Sequence, residues 1–597
     1  MNAEQFRDKV YACWMGKNIG GTLGGPLEGR MELLDIRNYT QTFVQAVEND
    51  DLDLQLVALH CVEQYAGLVT TERLGQEWLS HVHFQFDEYG HALTNLRKGL
   101  RPPLSGAYNN FFTDCMGSPI RSELWGILCA GMPELAAYYA YQDACVDHAG
   151  GEGVYGEIFF AVFESLAFSC DEIGLLIKQS LAYLPRDCAT AGAVRCLLES
   201  REQGLGWQEA RAVLIDRYAG ENFTYAPVNI AFTLMGLLYG TGFTERLLIT
   251  TNCGYDTDCT CATIASMMGI LYGSAYIDAM WTEPLGENII VSPPVNGFAA
   301  PKTIAELTER SLRAHRMITA LCEAVPDKNI FTISREVDCE RRYLPAGSGL
   351  AWDFLCETFY EDGHPAAAPE TAKRVTLRLT NHLPVPVTLC LDAQVAGGQI
   401  TGEAQMLALA PEETGSYAVF VTRTEKAARY PGKFCIRRME NGSIWAEYEI
   451  PFTLLPTQDW ILTADHGETA VLHCETARLP VERLALDNAE VLRAETRLYS
   501  PVEKELRLIA NCRQPLRLLV DGRVAVDCPE ETPEIPAYHR AEPKKCANLW
   551  LTKGYHTIEV QMLHAREVRN LFFYVVDPAF HCAAQIDYWL ELPQNEI

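Results

Sequence analysis

Carboxylates crowd two short stretches of this sequence. The first, Glu48-Asn-Asp-Asp-Leu-Asp-Leu-Gln55, sets Asn49, Asp50, Asp51 and Asp53 just before an apolar helical period that opens at Leu56. One or two such residues suit a helix start, as a cap or against the macrodipole. This run holds more than a cap needs. Packed carboxylates repel unless a cation or proton sits among them, and amide and carboxylate oxygens are the donors that hard divalent ions take. The other stretch, Gly254-Tyr-Asp-Thr-Asp-Cys259, precedes an uncharged run from Cys259 to Ile277. In a non-helical turn Asp256 and Asp258, two apart, can reach one point while the helix behind them is anchored in the core. The blander readings are a capped helix start and a pair of solvated acids. Zinc is not indicated: Cys253, Cys259 and Cys261 lack the usual paired spacing and a fourth ligand.

Two other segments have the composition of a cleft. In Gly16-Lys-Asn-Ile-Gly-Gly-Thr-Leu-Gly-Gly-Pro-Leu-Glu28, the glycines at 16, 20 and 24 fall four apart. On a helix they form a bare stripe that lets another backbone approach. Neither phosphate-loop spacing nor a preceding strand is present. Glu28 follows Gly25-Pro26-Leu27, where the helix should end near a cleft. Further on, Asp147-His148 stands beside Gly150-Gly-Glu-Gly-Val-Tyr-Gly156, which reads as a loop carrying Gly153 and Tyr155, with Glu152 or Glu157 as a further carboxylate.

In order and approximate spacing, Gly20 to Glu28, Asn49-Asp-Asp51 and Gly254-Tyr-Asp-Thr-Asp258 resemble the three signatures of the ADP-ribosylglycohydrolase family. Gly117-Ser-Pro-Ile-Arg-Ser-Glu-Leu-Trp-Gly126 resembles its central glycine-rich segment, and His148 its following histidine. The resemblance covers about residues 5–320. It implies an all-α fold holding two divalent cations, Mg2+ by family habit or Mn2+. The implied ligands are Asn49, Asp50, Asp51, Asp256 and Asp258, with Glu28, Asp51 and Asp256 in catalysis. Gly117, Ser118, His148, Gly153 and Tyr155 would line the substrate. Three positions depart from the family pattern. Asn49 stands where threonine is usual, Cys259 where threonine or serine is usual, and Met116 where asparagine is usual. A thiol is a poor magnesium ligand, so Cys259 points to a weakened, shifted or manganese-selective site. Met116 bears on the phosphate and ribose contacts.

These residues need rigid elements to hold them. Apolar residues recur at three- and four-residue spacing in Leu56-Val57-His60-Cys61-Tyr65, Leu135-Tyr138-Tyr141-Cys145 and Ile158-Val162-Leu166, so residues 1–340 read as all-α. A Gly/Pro/Ala-containing stretch follows, expected as a linker over 341–369. Beyond it, Val375 to Thr380 and Val387 to Leu391 alternate with period two. Two β-sandwich modules are expected, at 370–457 and 458–597. The C-terminal one resembles the jelly-roll modules appended to carbohydrate enzymes, either as a carbohydrate binder or as a packing domain. The 597 residues are too many for one core.

With 49 Lys+Arg against 78 Asp+Glu, the net charge of −29 argues against nucleic acid or an anionic membrane as partner. The uncharged runs 222–244 and 259–277 read as buried helices rather than membrane spans. The 21 cysteines, irregularly spaced, fit reduced thiols in a cytoplasm, and no signal peptide is legible. The expected function is metal-dependent hydrolysis of a glycosidic bond, by family default an ADP-ribosyl linkage. The alternatives are an ordinary O- or N-glycoside as substrate, or a non-catalytic protein that kept the metal cleft.

Overall fold

A computed structural model of the chain describes residues 1–324, 335–345, 352–484, 486, 489–578 and 587–593. Two compact units emerge. One combines Met1–His83 with Phe112–Arg335; the other combines Phe84–Phe111 with the described residues from Glu336 onward.

The first unit is helical. Helix α1 (Ala3–Gly24) opens with a capping box in which Asn2 accepts from the Gln5 amide and Gln5 reaches back. Its partner is the helix Thr257–Tyr272, and the glycine stripe sets the contact. A β-carbon at Gly16 would stand 2.3 Å from the Ala265 carbonyl oxygen, one at Gly20 2.1 Å from that of Cys261, and one at Gly24 2.2 Å from that of Thr257. Residue numbers rise on one helix as they fall on the other, so the two run antiparallel with backbones nearly touching. This fixes register: the C-terminal end of α1, leading to Glu28, lies at the N-terminal end of the helix begun by Asp256-Thr-Asp258. Helix α2 (Asp50–Gln64) and helix α3 (Thr71–His81) follow. The periodic segments noted in the sequence lie on Pro133–Ala144 and Glu152–Ala167, both almost wholly buried. The uncharged runs hold the buried helices Ala226–Tyr239 and Thr257–Tyr272. Among the described residues no helix is long and apolar enough to cross a membrane, and the cysteines are free thiols.

The second unit is mostly strands. Its first ten pair in two five-stranded sheets that share one apolar core. One sheet runs Cys339–Pro345, Trp352–Tyr360, Lys373–Asn381, Thr414–Arg423 and Gly398–Thr401 in spatial order. The stretch expected as a linker thus supplies most of Cys339–Pro345, all of Trp352–Tyr360 and the short strand Ala366–Ala367; its residues 346–351 lie outside the described residues. The cause of the miss is charge. Cys339–Pro345 carries Glu340 and Arg341, which are buried, with Arg341 Nε 3.2 Å from Glu357 on the neighbouring strand. Paired charges read as solvated ones in a sequence. The remaining strands form a seven-stranded and a four-stranded sheet around a further core. There Asp521 and Gly522, both at positive φ, make the two-residue turn between Leu516–Val520 and Arg523–Cys528.

The expected domain 1–340 is helical through Ala324, but not all of it belongs to the helical unit. Phe84–Phe111, including the helix Asp87–Arg97, clusters with the strands. Leu100, Leu104 and Tyr108 sit in the core of the first pair of sheets. Helical periodicity gives an element its face; it does not say which core receives it.

Candidate metal centre

The acidic site is assembled from three helix ends. Asn49 caps α2: its Oδ1 accepts from the Asp51 amide at 3.0 Å, so the cap spends one lone pair of the expected ligand oxygen. Asp51, in the first turn, is fully buried, and Asp50 beside it is half-buried. Asp256 occupies the N-cap position of Thr257–Tyr272 with non-helical φ/ψ, and its amide donates to Asn229 Oδ1 at 3.2 Å. The turn before it is held open by Gly254 and Tyr255, both at positive φ. Tyr255 exchanges backbone hydrogen bonds with the segment after Glu28: Gly29 N–H donates to its carbonyl at 2.9 Å, and its own N–H donates to the Arg30 carbonyl at 2.8 Å. Those two bonds, with the glycine stripe, carry Glu28 to the aspartates.

Two groups of potential ligand atoms result, each within 4.8 Å: Asp51, Asp258 and Cys259, and Glu28, Asp256 and Asp258. Asp258 belongs to both. Of the expected site residues, the fold therefore brings together Glu28, Asp51, Asp256 and Asp258, with Asn49 and Asp50 on the same helix start. Glu28 is exposed and the others are buried or half-buried, so the cluster has a mouth and a floor.

Its electrostatics are those of carboxylates short of positive charge. Burial pushes Asp51 well above the usual carboxylate range; Lys17 opposes this, while Asp258 and Asp50 add to it. Asp256 is raised in the same way by burial, then by Asp258 and Glu28. Asp51 Oδ2 and Asp258 Oδ1 are buried without a hydrogen-bond partner. Such a donor set, hard oxygens with too little countercharge, fits a divalent cation. Cys259 does not extend it. Burial and the surrounding aspartates push its thiol up, so it stays protonated and donates to Asp51 Oδ1 at 3.4 Å.

Beneath the aspartates lies an ionic layer not foreseen in the sequence. Lys17, on α1 and fully buried, places Nζ 2.9 Å from Glu123 Oε1, 3.7 Å from Asp51 Oδ2 and 2.8 Å from the Ile120 carbonyl oxygen. Gln55 donates to Glu123 Oε2 at 2.9 Å. The two acids outweigh burial and hold Lys17 above its ordinary pKa, as a permanent cation. The one hint was a lysine inside a helix face otherwise made of glycines and apolar residues.

The residues expected to line the substrate fall differently. Ser118 is buried; its Oγ donates to Glu157 Oε2 at 2.5 Å and lies 3.3 Å from the Gly153 carbonyl oxygen. The Gly117 carbonyl accepts from Arg121 Nη1 at 2.5 Å. His148 is fully buried with Nδ1 3.1 Å from Asp147 Oδ2, and a β-carbon on Gly153 would stand 2.4 Å from its ring. Arg121 joins this layer to Asp147 at 2.8 Å. These contacts are to the protein itself; Tyr155 alone of the five is half-exposed.

The model of the ADP-ribosylglycohydrolase family matches residues 2–319, which contain every residue of this site. Among solved structures, an ADP-ribosylglycohydrolase-related protein complex matches at 18% identity, over 53% of this chain and 99% of that one, with a TM-score of 0.38. An Escherichia coli α2-macroglobulin, from domain MG7 to its C-terminus, matches at 17% identity, over 27% of this chain and 24% of that one, with a TM-score of 0.16. No curated protein matches. With more than half its length in the family model, the chain belongs to the ADP-ribosylglycohydrolase family.

Proposed function

We propose that the helical unit is a divalent-cation-dependent glycohydrolase that cleaves an ADP-ribosyl linkage. One observation carries the reading: Glu28, Asp51, Asp256 and Asp258, from three separate stretches, converge in two overlapping groups that share Asp258. Asp51 with Asp258 would hold one cation, and Asp256 with Asp258 another, with Glu28 beside the second. The Asn49 oxygen and Asp50 would complete the set. When bound, Mg2+ or Mn2+ supplies charge to orient a ribose diol and to acidify a bound water.

The chain's own residues do the rest. Glu28, exposed at the mouth, is placed to take a proton from the attacking water and return it to the leaving group. Asp256 is held at the helix start by the bond from its amide to Asn229, which fixes its backbone independently of substrate. Lys17 anchors Asp51 from below with a buried positive charge. Ser118, His148 and Arg121 form a buried layer held by contacts within the protein, which leaves Tyr155 as the candidate substrate contact.

A different reading, an ordinary glycoside as substrate, is favoured by Met116. It is fully buried and offers no polar contact where the family pattern has asparagine. A hydrolysis screen separates the two. The full chain is assayed with Mg2+ and with Mn2+ against ADP-ribosyl-arginine, ADP-ribosyl-serine and aryl glycosides, with Asp256→Ala as control. Cation-dependent release of ADP-ribose, lowered at least about 100-fold in the variant, is expected. Turnover of aryl glycosides alone would replace the substrate assignment. Equal activity of variant and wild type would overturn the site.

A further inference from the structure

Another cluster of ligand-type side chains lies apart from the acidic site. His60 comes from α2, and Glu77 and His81, one helical turn apart, come from the last part of α3. Their candidate ligand atoms all lie within 4.8 Å. His60 Nδ1 is 2.6 Å from Glu77 Oε2, and His81 Nε2 is 3.4 Å from that same oxygen. The two imidazole rings meet edge to face with centroids 5.1 Å apart, and Phe298 packs on both at 5.2 Å. The Glu77 side chain is 7% exposed, that of His81 12% and that of His60 25%, so the cluster is shielded yet reachable.

His81 Nδ1 faces the Asn296 carbonyl oxygen at 2.9 Å; a carbonyl only accepts, so Nδ1 carries hydrogen. In a neutral ring Nε2 then presents a lone pair to the Glu77 carboxylate, which is also acceptor-only. Two lone pairs at 3.4 Å need a cation between them, either a proton or a metal ion. The Nδ1 contact is the arrangement that orients a metal-bound histidine, with the far ring nitrogen pinned to a backbone carbonyl. Ligands about 2.1 Å from a tetrahedral zinc lie about 3.4 Å apart, which is the separation of His81 Nε2 and Glu77 Oε2, whereas His60 Nδ1, at hydrogen-bond distance from that oxygen, must draw back by under about 1 Å to ligate.

The frame is rigid. Asn296 N–H returns a bond to the His81 carbonyl at 3.1 Å. Arg310 donates to the Ala299 carbonyl and forks onto Glu63 of α2 at 3.0 and 2.6 Å. The loop bearing Asn296 and Phe298 is thereby tied to the helix that bears His60. The α3 C-terminus also favours a cation at Glu77 and His81.

We infer that His60, Glu77 and His81 form a transition-metal site that takes Zn2+, with water in the fourth position, and that the ion ties α2 to the end of α3. On binding, zinc takes the Nδ1 lone pair of His60 in place of the hydrogen bond to Glu77, and the neutral ring carries its one hydrogen on Nε2. Two imidazoles select against magnesium, so the site is chemically distinct from the aspartate cleft.

The test uses the full chain carrying Asp256→Ala, which disables the acidic site, loaded with Zn2+ in excess Mg2+ and then desalted. One zinc per chain is expected, with X-ray absorption showing imidazole nitrogen and oxygen neighbours. His81→Gln and His60→Asn, each with unchanged far-ultraviolet circular dichroism, should bind zinc at least about 100-fold more weakly. Sulfur neighbours, drawn from the 21 cysteines, would overturn the inference, as would equal zinc in all variants or none after desalting. The X-ray absorption result decides the matter even where a variant fails to fold.

Discussion

Lys17 shows how much of the acidic site rests on one residue. Its ammonium is fully buried and faces both Glu123 and Asp51. Removing one partner of a buried ionic group leaves the others charged in a poor dielectric, at a cost of about 3–5 kcal/mol. Lys17→Met should therefore lower unfolding free energy by about that amount in urea titration, and a loss under about 1 kcal/mol would mean that the acids relax without it. Cys259 makes a different prediction. Its thiol donates to Asp51 and offers no hard oxygen. Cys259→Ser adds a hydroxyl oxygen at that point, so the ratio of Mg2+ to Mn2+ activation midpoints should shift toward Mg2+ by about tenfold. An unchanged ratio would place position 259 beyond the reach of a bound cation. The acids themselves were legible in the sequence because the two clusters occur together with Glu28 in a family-like order, although each alone also reads as a helix cap or a solvated pair. Lys17 was not, since its partner Glu123 stands 106 residues away and buried lysines are rare.

At the scale of elements, the contact of α1 with Thr257–Tyr272 is what makes two distant motifs one site. Gly16, Gly20 and Gly24 read as a packing stripe from spacing alone, because four-residue recurrence on a helix admits few other meanings. Its partner helix was not legible: nothing in the glycines says which backbone they meet. The structure supplies a sharp test. Gly20→Ala puts a methyl 2.1 Å from the Cys261 carbonyl oxygen, a clash that only a shift of the whole helix relieves. Gly25→Ala, just past the end of α1, meets nothing within 4 Å and has ordinary helical φ/ψ. Gly20→Ala should destabilise by about 3 kcal/mol or more and loosen cation binding, whereas Gly25→Ala should change stability by about 0.5 kcal/mol or less. Calorimetry with and without Mn2+ measures both. Equal effects would show that the helices are not in contact as described.

At the scale of the whole molecule, chain order and compact units do not coincide, and Phe84–Phe111 is where they part. A boundary near residue 340 is the natural reading of the sequence because helical texture ends there. Yet His91, on Asp87–Arg97, packs against Tyr538 with ring centroids 4.6 Å apart and bonds to the Pro536 carbonyl at 3.2 Å. A fragment 1–340 would strip Leu100, Leu104 and Tyr108 of their core, and it should bind hydrophobic dyes where the full chain does not. The same histidine gives the strand-bearing unit an acid sensitivity. Burial lowers His91 from 6.5 to about 4, against the raising effect of its backbone bonds to Pro536 and Asn109. Well above pH 6.5 the ring is neutral in both folded and unfolded chains, and its contribution is fully present. As pH falls from 6.5 toward 4, the unfolded chain takes up a proton that the folded one refuses, so stability drains across that window, by a few kcal/mol at its foot. Every other group titrates alike in wild type and in His91→Gln, so the difference between their pH–stability curves isolates this residue. Its slope should lie between pH 6.5 and 4 and vanish above. A flat difference there would mean that the buried ring protonates as freely as an exposed one, which its place between Tyr538 and Pro536 forbids.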